Sequence, residues 1–251
     1  MKDRVKQDIG TKRPTQDWQT IDWKLVERRV RNLRQRIFRA IKNGQLNQAR
    51  SLMKLMLRSH SNLLQSVRKV TQQNKGRKTP GIDRQVALTP NARAKLAHEM
   101  SEYQAWKVKP ARRVYIPKAD GKQRPLGILT LKNRLAQAIV KNALEPGWEA
   151  RFEPNSFGFR PGRSCHDAIV QCWNRFNQQS RDNWALDADL KGAFDNISQS
   201  FILDRIGKIP GRELIRQWLQ AGYVEAEILH ATKAGVQQGG VITPPTMLLT
   251  S

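Results

Sequence analysis

Two carboxylates, Asp187 and Asp189, close a short apolar run in WALDADLKGAFDNI, residues 184–197. Alternation puts both on one face of a strand. The pattern predicts a strand over residues 184–190, a tight turn, then an aromatic at Phe194 and an acid at Asp195. A carboxylate fixed at a strand end can hold a metal for phosphoryl transfer, bridging the attacking hydroxyl and the leaving phosphate. Taken alone, an Asp in that place is more often a turn or cap residue. By the same standard Asp187 reads as solvated or salt-bridged, Phe194 as a core residue, and Asp195 and Asn196 as caps of the next helix. Downstream, residues 235–244 read GVQQGGVITP. There Gln238 precedes Gly239 and Gly240, which let a backbone approach a ligand closely.

A second group of residues offers positive charge. Lys118 and Arg124 flank Asp120-Gly121, a two-residue hairpin signal. Residues 107–134 hold nine Lys/Arg and one acid, Asp120. That density fits phosphate contact, whether with a triphosphate or an RNA backbone, and equally a basic tip facing solvent. In residues 155–164, NSFGFRPGRS, Arg160 and Arg163 offer charge for phosphate contact, with Phe157 and Phe159 just before them. The plainer reading is a glycine-rich loop with aromatic anchors.

These residues need positioning elements. Apolar residues at Trp23, Val26, Val30, Leu33, Ile37 and Ile41 predict a helix ending at Asn43-Gly44. Arg28, Arg31 and Arg34 lie among them. A second helix is expected over residues 46–70, with Leu52, Leu55, Met56, Leu63, Val67 and Val70 buried, giving a helical hairpin. Residues 72–80, QQNKGRKTP, include Lys75 and Arg77 and read as a basic break between domains. Further helices are expected at 90–104, 132–144, 166–177, 198–207 and 212–221, with strands at 112–116 and 124–129. Residues 1–19 read as a mobile leader, and the chain then divides into a helical part at 20–78 and two further parts at 79–180 and 181–251.

Composition narrows the class. The chain has 251 residues, 45 Lys+Arg against 21 Asp+Glu, and a net charge of +24. That excess points to a polyanionic partner, nucleic acid before membrane. No apolar run approaches the ~20 residues of a spanning helix, and the N-terminus has no secretory signal. Cys165 and Cys172 support neither a disulfide framework nor a zinc site. A cytoplasmic or organelle-interior setting is expected.

In order along the chain, GRKTPGID (76–83), VYIPKADGKQRPLGILT (114–130), NSFGFRPGRSCHDAI (155–169) and the two blocks above resemble group II intron-encoded reverse transcriptases/maturases. Several ordered motifs outweigh any one of them. The resemblance covers roughly residues 20–244. It implies an α+β fold: right-hand polymerase fingers at 79–180 and a partial palm at 181–251, preceded by an N-terminal helical hairpin that makes 20–78 an RNA-binding extension. It implies Asp189 as first catalytic Asp, facing Mg2+ with the carbonyl of Leu190. It implies Lys118, Arg124, Phe194 and Gln238 around the incoming dNTP, Phe194 excluding a 2′-hydroxyl. It makes Arg28, Arg31, Arg34, Lys75, Arg77, Arg160 and Arg163 contacts for intron RNA or for an RNA template with its DNA primer.

The chain departs from the family in two places. Gln237 stands where proline is usual, and after Pro244 the chain reads PTMLLTS. The Tyr-x-Asp-Asp motif of the family palm does not occur in the sequence. A truncated or frame-shifted end is therefore expected, with an incomplete two-metal site, no polymerase activity from the isolated chain, and an exposed sheet edge and apolar surface. RNA binding is the expected residual activity. Competing readings are a retron or diversity-generating reverse transcriptase, and a basic ribosome- or tRNA-binding protein.

Overall fold

The computed structural model describes residues 17–102, 107–117, 121–176, 184–189, 192–232, 234–236 and 240. The chain is α+β, with a helical N-terminal part and a small mixed sheet. Helix α1 (Trp23–Lys42) starts where the Asp22 carboxylate accepts from the Leu25 N–H, and it ends at Asn43 before Gly44. Its buried face is Val26, Val30, Leu33, Ile37 and Ala40, as the three-and-four spacing requires.

The single helix expected over residues 46–70 is two, α2 (Leu46–Arg58) and α3 (His60–Arg68). Ser59 breaks it: its extended backbone leaves the helix, and its hydroxyl accepts from the Asn62 N–H. Asn62 is fully buried and donates to the carbonyls of Met56 and Ile139, so the carbonyl freed by the break is satisfied. Leu55 lies to the side of the buried face of α2, which is Ala49, Leu52, Met53 and Met56, and this expected core residue is exposed.

Helix α4 (Pro90–Ser101) opens on a Thr89 cap with proline in the first turn. Helix α5 (Leu131–Glu149) carries twelve buried residues and runs between two apolar clusters. One cluster joins α1, α2 and α5 to α8 (Gln199–Ile206) and α9 (Arg212–Gln220). The other joins Trp18, Ile21 and Val26 to α3, α4 and the start of α5. Both clusters contain residues from either side of position 78.

The sheet has strand order β2-β1-β3-β4: β1 (Ala111–Pro117), β2 (Gln123–Ile128), β3 (Tyr223–Glu225) and β4 (Ile228–His230). Strands β1 and β2 are antiparallel with Ile116 opposite Arg124, whereas β1 and β3 are parallel. A two-residue turn at Asp120-Gly121 would pair Pro117 with Arg124. The observed partner of Pro117 is Gln123, leaving a five-residue connection in which Gly121 has φ 77°. The two-residue hairpin instead joins β3 to β4 through Ala226 and Glu227, at φ 45° and 66°.

The strand expected over residues 184–190 is absent from the described part. Residues 184–189 are irregular, and Trp184 and Leu186 are 93% and 94% exposed. Nothing among the described residues pairs with this segment, and an unpaired strand has no ladder to hold it. Helix α6 (Cys165–Phe176) opens on a reciprocal cap: Ser164 N–H and Oγ donate to the Asp167 carboxylate while the Asp167 N–H donates back to Ser164 Oγ. Those bonds hold the Asp167 carboxyl below the usual carboxylate range. Among the described residues no helix is long and apolar enough to cross a membrane.

Candidate nucleic-acid interface

Lys24, Arg28, Arg31, Arg39 and Lys42 are all exposed and fall on one face of α1, opposite its buried face. The stripe is about 27 Å long at 1.5 Å per residue, enough to follow several phosphates. Arg34 does not join it. Its Nη2 lies 2.6 Å from Glu145 Oε2 on α5, and its Nη1 donates to Asn142. Arg34 was expected at RNA; the structure commits it to fixing α1 on α5.

The segment after α3 is held from beneath by three arginines. Arg134 donates to the carbonyls of Gly76 and Thr79, Arg112 to Pro80 and Arg93 to Leu88. A side chain at Gly81 would meet the Thr130 backbone at 2.7 Å, so only glycine lets the segment lie this close to the start of α5. Burial lowers the pKa of Arg134. Burial first, then the neighbouring Arg77 charge, lowers that of Arg93. Lys75, Lys78 and Arg84 are left exposed and Arg77 half-buried.

In the 155–164 loop the two arginines separate. Arg160 is buried, pairs with Glu149 and donates to the carbonyls of Glu153 and Ser156. Its donors turn inward, which corrects its expected place on the template. Arg163 is half-exposed, donates to the Pro154 carbonyl and lies 5.3 Å from the Phe157 ring centroid.

The 184–197 and 235–244 blocks meet at their backbones. Short helix α7 (Ala193–Asn196) contains Phe194 and Asp195. Gly235 N–H donates to the Ile197 carbonyl at 2.8 Å and Val236 N–H to the Phe194 carbonyl at 2.7 Å. Gly235 has φ 78°, and a Cβ there would stand 2.7 Å from the carbonyl oxygens of Phe194 and Asp195. Phe194 is half-buried against the first cluster, and Val236 is part of it. The expected cap at Asp195 and Asn196 falls instead to Ser198, which accepts from the Phe201 N–H. Gln199 was missed by sequence reasoning. Its amide donates to the carbonyls of Leu219, Thr232 and Gly235, tying α8 and α9 to the second block. No motif signals it, since a helical glutamine reads as surface.

Arg124 lies on β2, exposed, opposite Ile116. Lys118, Leu190 and Gln238 lie outside the described residues. Asp187 and Asp189 are both exposed. Among the described residues no three His, Cys, Asp or Glu side chains group to hold a metal. A lone carboxylate leaves a cation to water, so the described residues do not by themselves fit a two-Mg2+ site.

Comparison with known proteins gives the family. Residues 18–100 match the N-terminal domain of reverse transcriptase, and residues 116–250 match the reverse transcriptase (RNA-dependent DNA polymerase) domain. Protein YkfC of Escherichia coli (strain K12) is 36% identical over 191 residues, 70% of this chain and 49% of that protein. The group II intron-encoded protein LtrA of Lactococcus lactis subsp. cremoris is 39% identical over 140 residues, 54% of this chain and 23% of LtrA. An uncharacterized 91 kDa protein in the cob intron of Schizosaccharomyces pombe is 35% identical over 139 residues, 54% of this chain and 17% of that protein. The chain belongs to the group II intron-encoded reverse transcriptase/maturase family and carries its N-terminal reverse transcriptase region. It matches half or less of the length of these relatives.

Proposed function

We propose that this chain grips intron RNA, and that in a complete enzyme its fingers and palm residues serve RNA-directed DNA synthesis. The observation that carries the reading is the five-cation stripe on α1, set opposite the buried face. The arginine-held segment with Lys75 and Arg77, and Arg163 in the 155–164 loop, extend the proposed surface. Neutralising phosphates releases counterions, so affinity falls with salt at a slope of about −0.7 per phosphate on single strands.

In this reading Asp189, with the Leu190 carbonyl, contributes to a Mg2+ centre whose other carboxylates come from outside the described residues. Lys118, Arg124, Phe194 and Gln238 are the proposed surroundings of the incoming dNTP. The chain by itself binds RNA and does not extend a primer; its residual role is to help intron RNA fold for splicing. The test pairs two assays on the full chain. Filter binding to single-stranded RNA over a salt series is expected to show a steep slope, and a flat response would sink the RNA reading. Primer extension with RNA template, dNTPs and Mg2+ is expected to give no product; robust extension would refute the binding-only part.

A further inference from the structure

We propose that Phe159 is a stacking plate for one unpaired nucleobase of a single-stranded RNA. The site lies within the RNA-binding surface proposed above, and its assignment rests on that reading. Phe159 is 63% exposed and has φ 58°, in the left-handed region. For a bulky side chain that backbone is strained. Leaving most of the ring in water also forgoes much of what its burial would contribute. Glycine would take this backbone freely, and the same loop uses it at Gly162, φ 70°. Neither backbone preference nor core packing accounts for an aromatic at 159. Strain of this kind persists where the surroundings impose it, and it gathers at binding sites.

The loop is fastened on its inner side. The buried Arg160 pairs with Glu149 and donates to the carbonyls of Glu153 and Ser156 at 2.6 and 2.7 Å. The Ser156 N–H donates to the Glu153 carbonyl, and the Arg163 N–H closes a turn on the Arg160 carbonyl. Arg163 Nη1 ties back to the Pro154 carbonyl at 2.7 Å. With its neighbour Arg160 anchored inward, Phe159 is held out in solvent.

The outer side is open. A Cβ on Gly158 or on Gly162 would meet no atom within 4 Å. Gly158, Phe159, Pro161 and Gly162 are all exposed. A flat ligand therefore reaches the ring past bare backbone on both sides. Phe157, the other aromatic of the loop, is half-buried, with the Arg163 guanidinium 5.3 Å from its ring centroid. One exposed ring falls far short of the roughly 800 Å² that a protein partner would cover, but it matches a single base. Charge agrees: residues 155–164 contain no acid, and once Glu149 has neutralised Arg160, Arg163 remains to favour a phosphate. A base in a duplex has both faces covered by its neighbours, so the ligand is single-stranded. Stacking on such a ring tolerates any base.

The experiment compares the full chain with Phe159→Ala and Phe159→Gly, which lose the plate, and Phe159→Trp, which keeps one. The probes are a fluorescent single-stranded RNA of about ten nucleotides and an abasic oligonucleotide of equal length and charge, read by anisotropy. The Ala and Gly variants should bind RNA about five- to tenfold more weakly, keep the wild-type salt slope, and bind the abasic probe as wild type does. Phe159→Trp should bind both probes as wild type does. In thermal melts Phe159→Gly should melt above Phe159→Ala, because the left-handed backbone suits glycine. The reverse order would overturn the strained presentation on which the site depends. Wild-type RNA affinity in the Ala and Gly variants would overturn the stacking plate alone. Equal losses on RNA and abasic probe would overturn it in favour of a phosphate contact. A wild-type chain that binds neither probe would overturn this proposal together with the RNA reading.

Discussion

Arg28, Arg31 and Arg34 are neighbours in sequence, and the structure assigns them different work, which makes a sharp comparison. Arg28 and Arg31 belong to the exposed stripe. If each neutralises one phosphate, the double substitution Arg28→Ala/Arg31→Ala should lower the salt slope of single-stranded RNA binding by about 1.4. Over a tenfold fall in salt from the point where the two proteins bind equally, the variant should become about 25-fold weaker than wild type. Its stability should change by no more than ~0.5 kcal/mol, because exposed side chains away from special features contribute little.

Arg34→Ala should do the reverse. Arg34 and Glu145 side chains are 27% and 12% exposed and their contact is 2.6 Å. Breaking a fully buried pair costs about 3–5 kcal/mol. Here Lys141 stays 3.3 Å from Glu145 and Arg34 is partly wet, so a loss of about 1–2 kcal/mol is expected. The salt slope should stay at the wild-type value. Salt-dependent anisotropy and urea unfolding read the two quantities separately. A slope that drops for Arg34→Ala as much as for Arg28→Ala, or one unmoved in the double variant, would refute the division of labour.

Two further predictions concern the other half of the chain. Gly235→Ala forces a left-handed backbone on alanine, about 1–2 kcal/mol, and strains two backbone hydrogen bonds worth roughly 0.5–1.5 kcal/mol each. A lowered urea midpoint by tryptophan fluorescence is expected, and an unchanged midpoint would show that the two motif blocks are not joined as described. On α9 the Arg216 hydrogen bond, then that of Gln217, lower the Glu213 pKa to about 2. A carboxyl whose pKa is depressed on folding stabilises fully above its unfolded value near 4.5, and that contribution fades as pH falls towards about 2. Glu213→Gln should flatten the melting temperature against pH across that acid window; an unaltered profile would count against the pair.

What sequence could and could not convey is clearest at the two hairpins. Asp120-Gly121 carries a strong two-residue turn signal, yet the register there requires a five-residue connection. The two-residue turn is Ala226-Glu227, residues with no preference for positive φ. There the pairing of β3 with both neighbours overrides local propensity, and no window of sequence contains that pairing. Helices whose apolar period is long were legible, α1 above all, whereas α5 was expected to end at residue 144 and runs on through Pro146 to Glu149. The break at Ser59 was not, because apolar spacing continues across it and the deciding group is Asn62, satisfied by a carbonyl on α5. Among the arginines, charge and position suggested RNA for all alike. Arg34 and Arg160 differ from Arg28 in having Glu145 and Glu149 within reach, and that proximity is tertiary.

The same contrast between local and tertiary support separates the two activities proposed for the chain. The basic stripe stands on α1, whose other face is sealed into a cluster shared with α2, α5, α8 and α9. It needs nothing further to hold its charges in a row. Asp189 follows Trp184 and Leu186, both almost wholly exposed, and no residue of α6 is buried. Covering Trp184 and Leu186 alone would stabilise by about 3–6 kcal/mol, on the scale of a small domain's entire net stability. A catalytic carboxylate must be held within a fraction of an ångström, and packing is what supplies such rigidity. RNA gripping therefore draws on burial already present among the described residues, whereas a rigid Asp189 draws on cover from beyond them. Salt-dependent binding with no primer extension is the behaviour that this distribution of packing predicts.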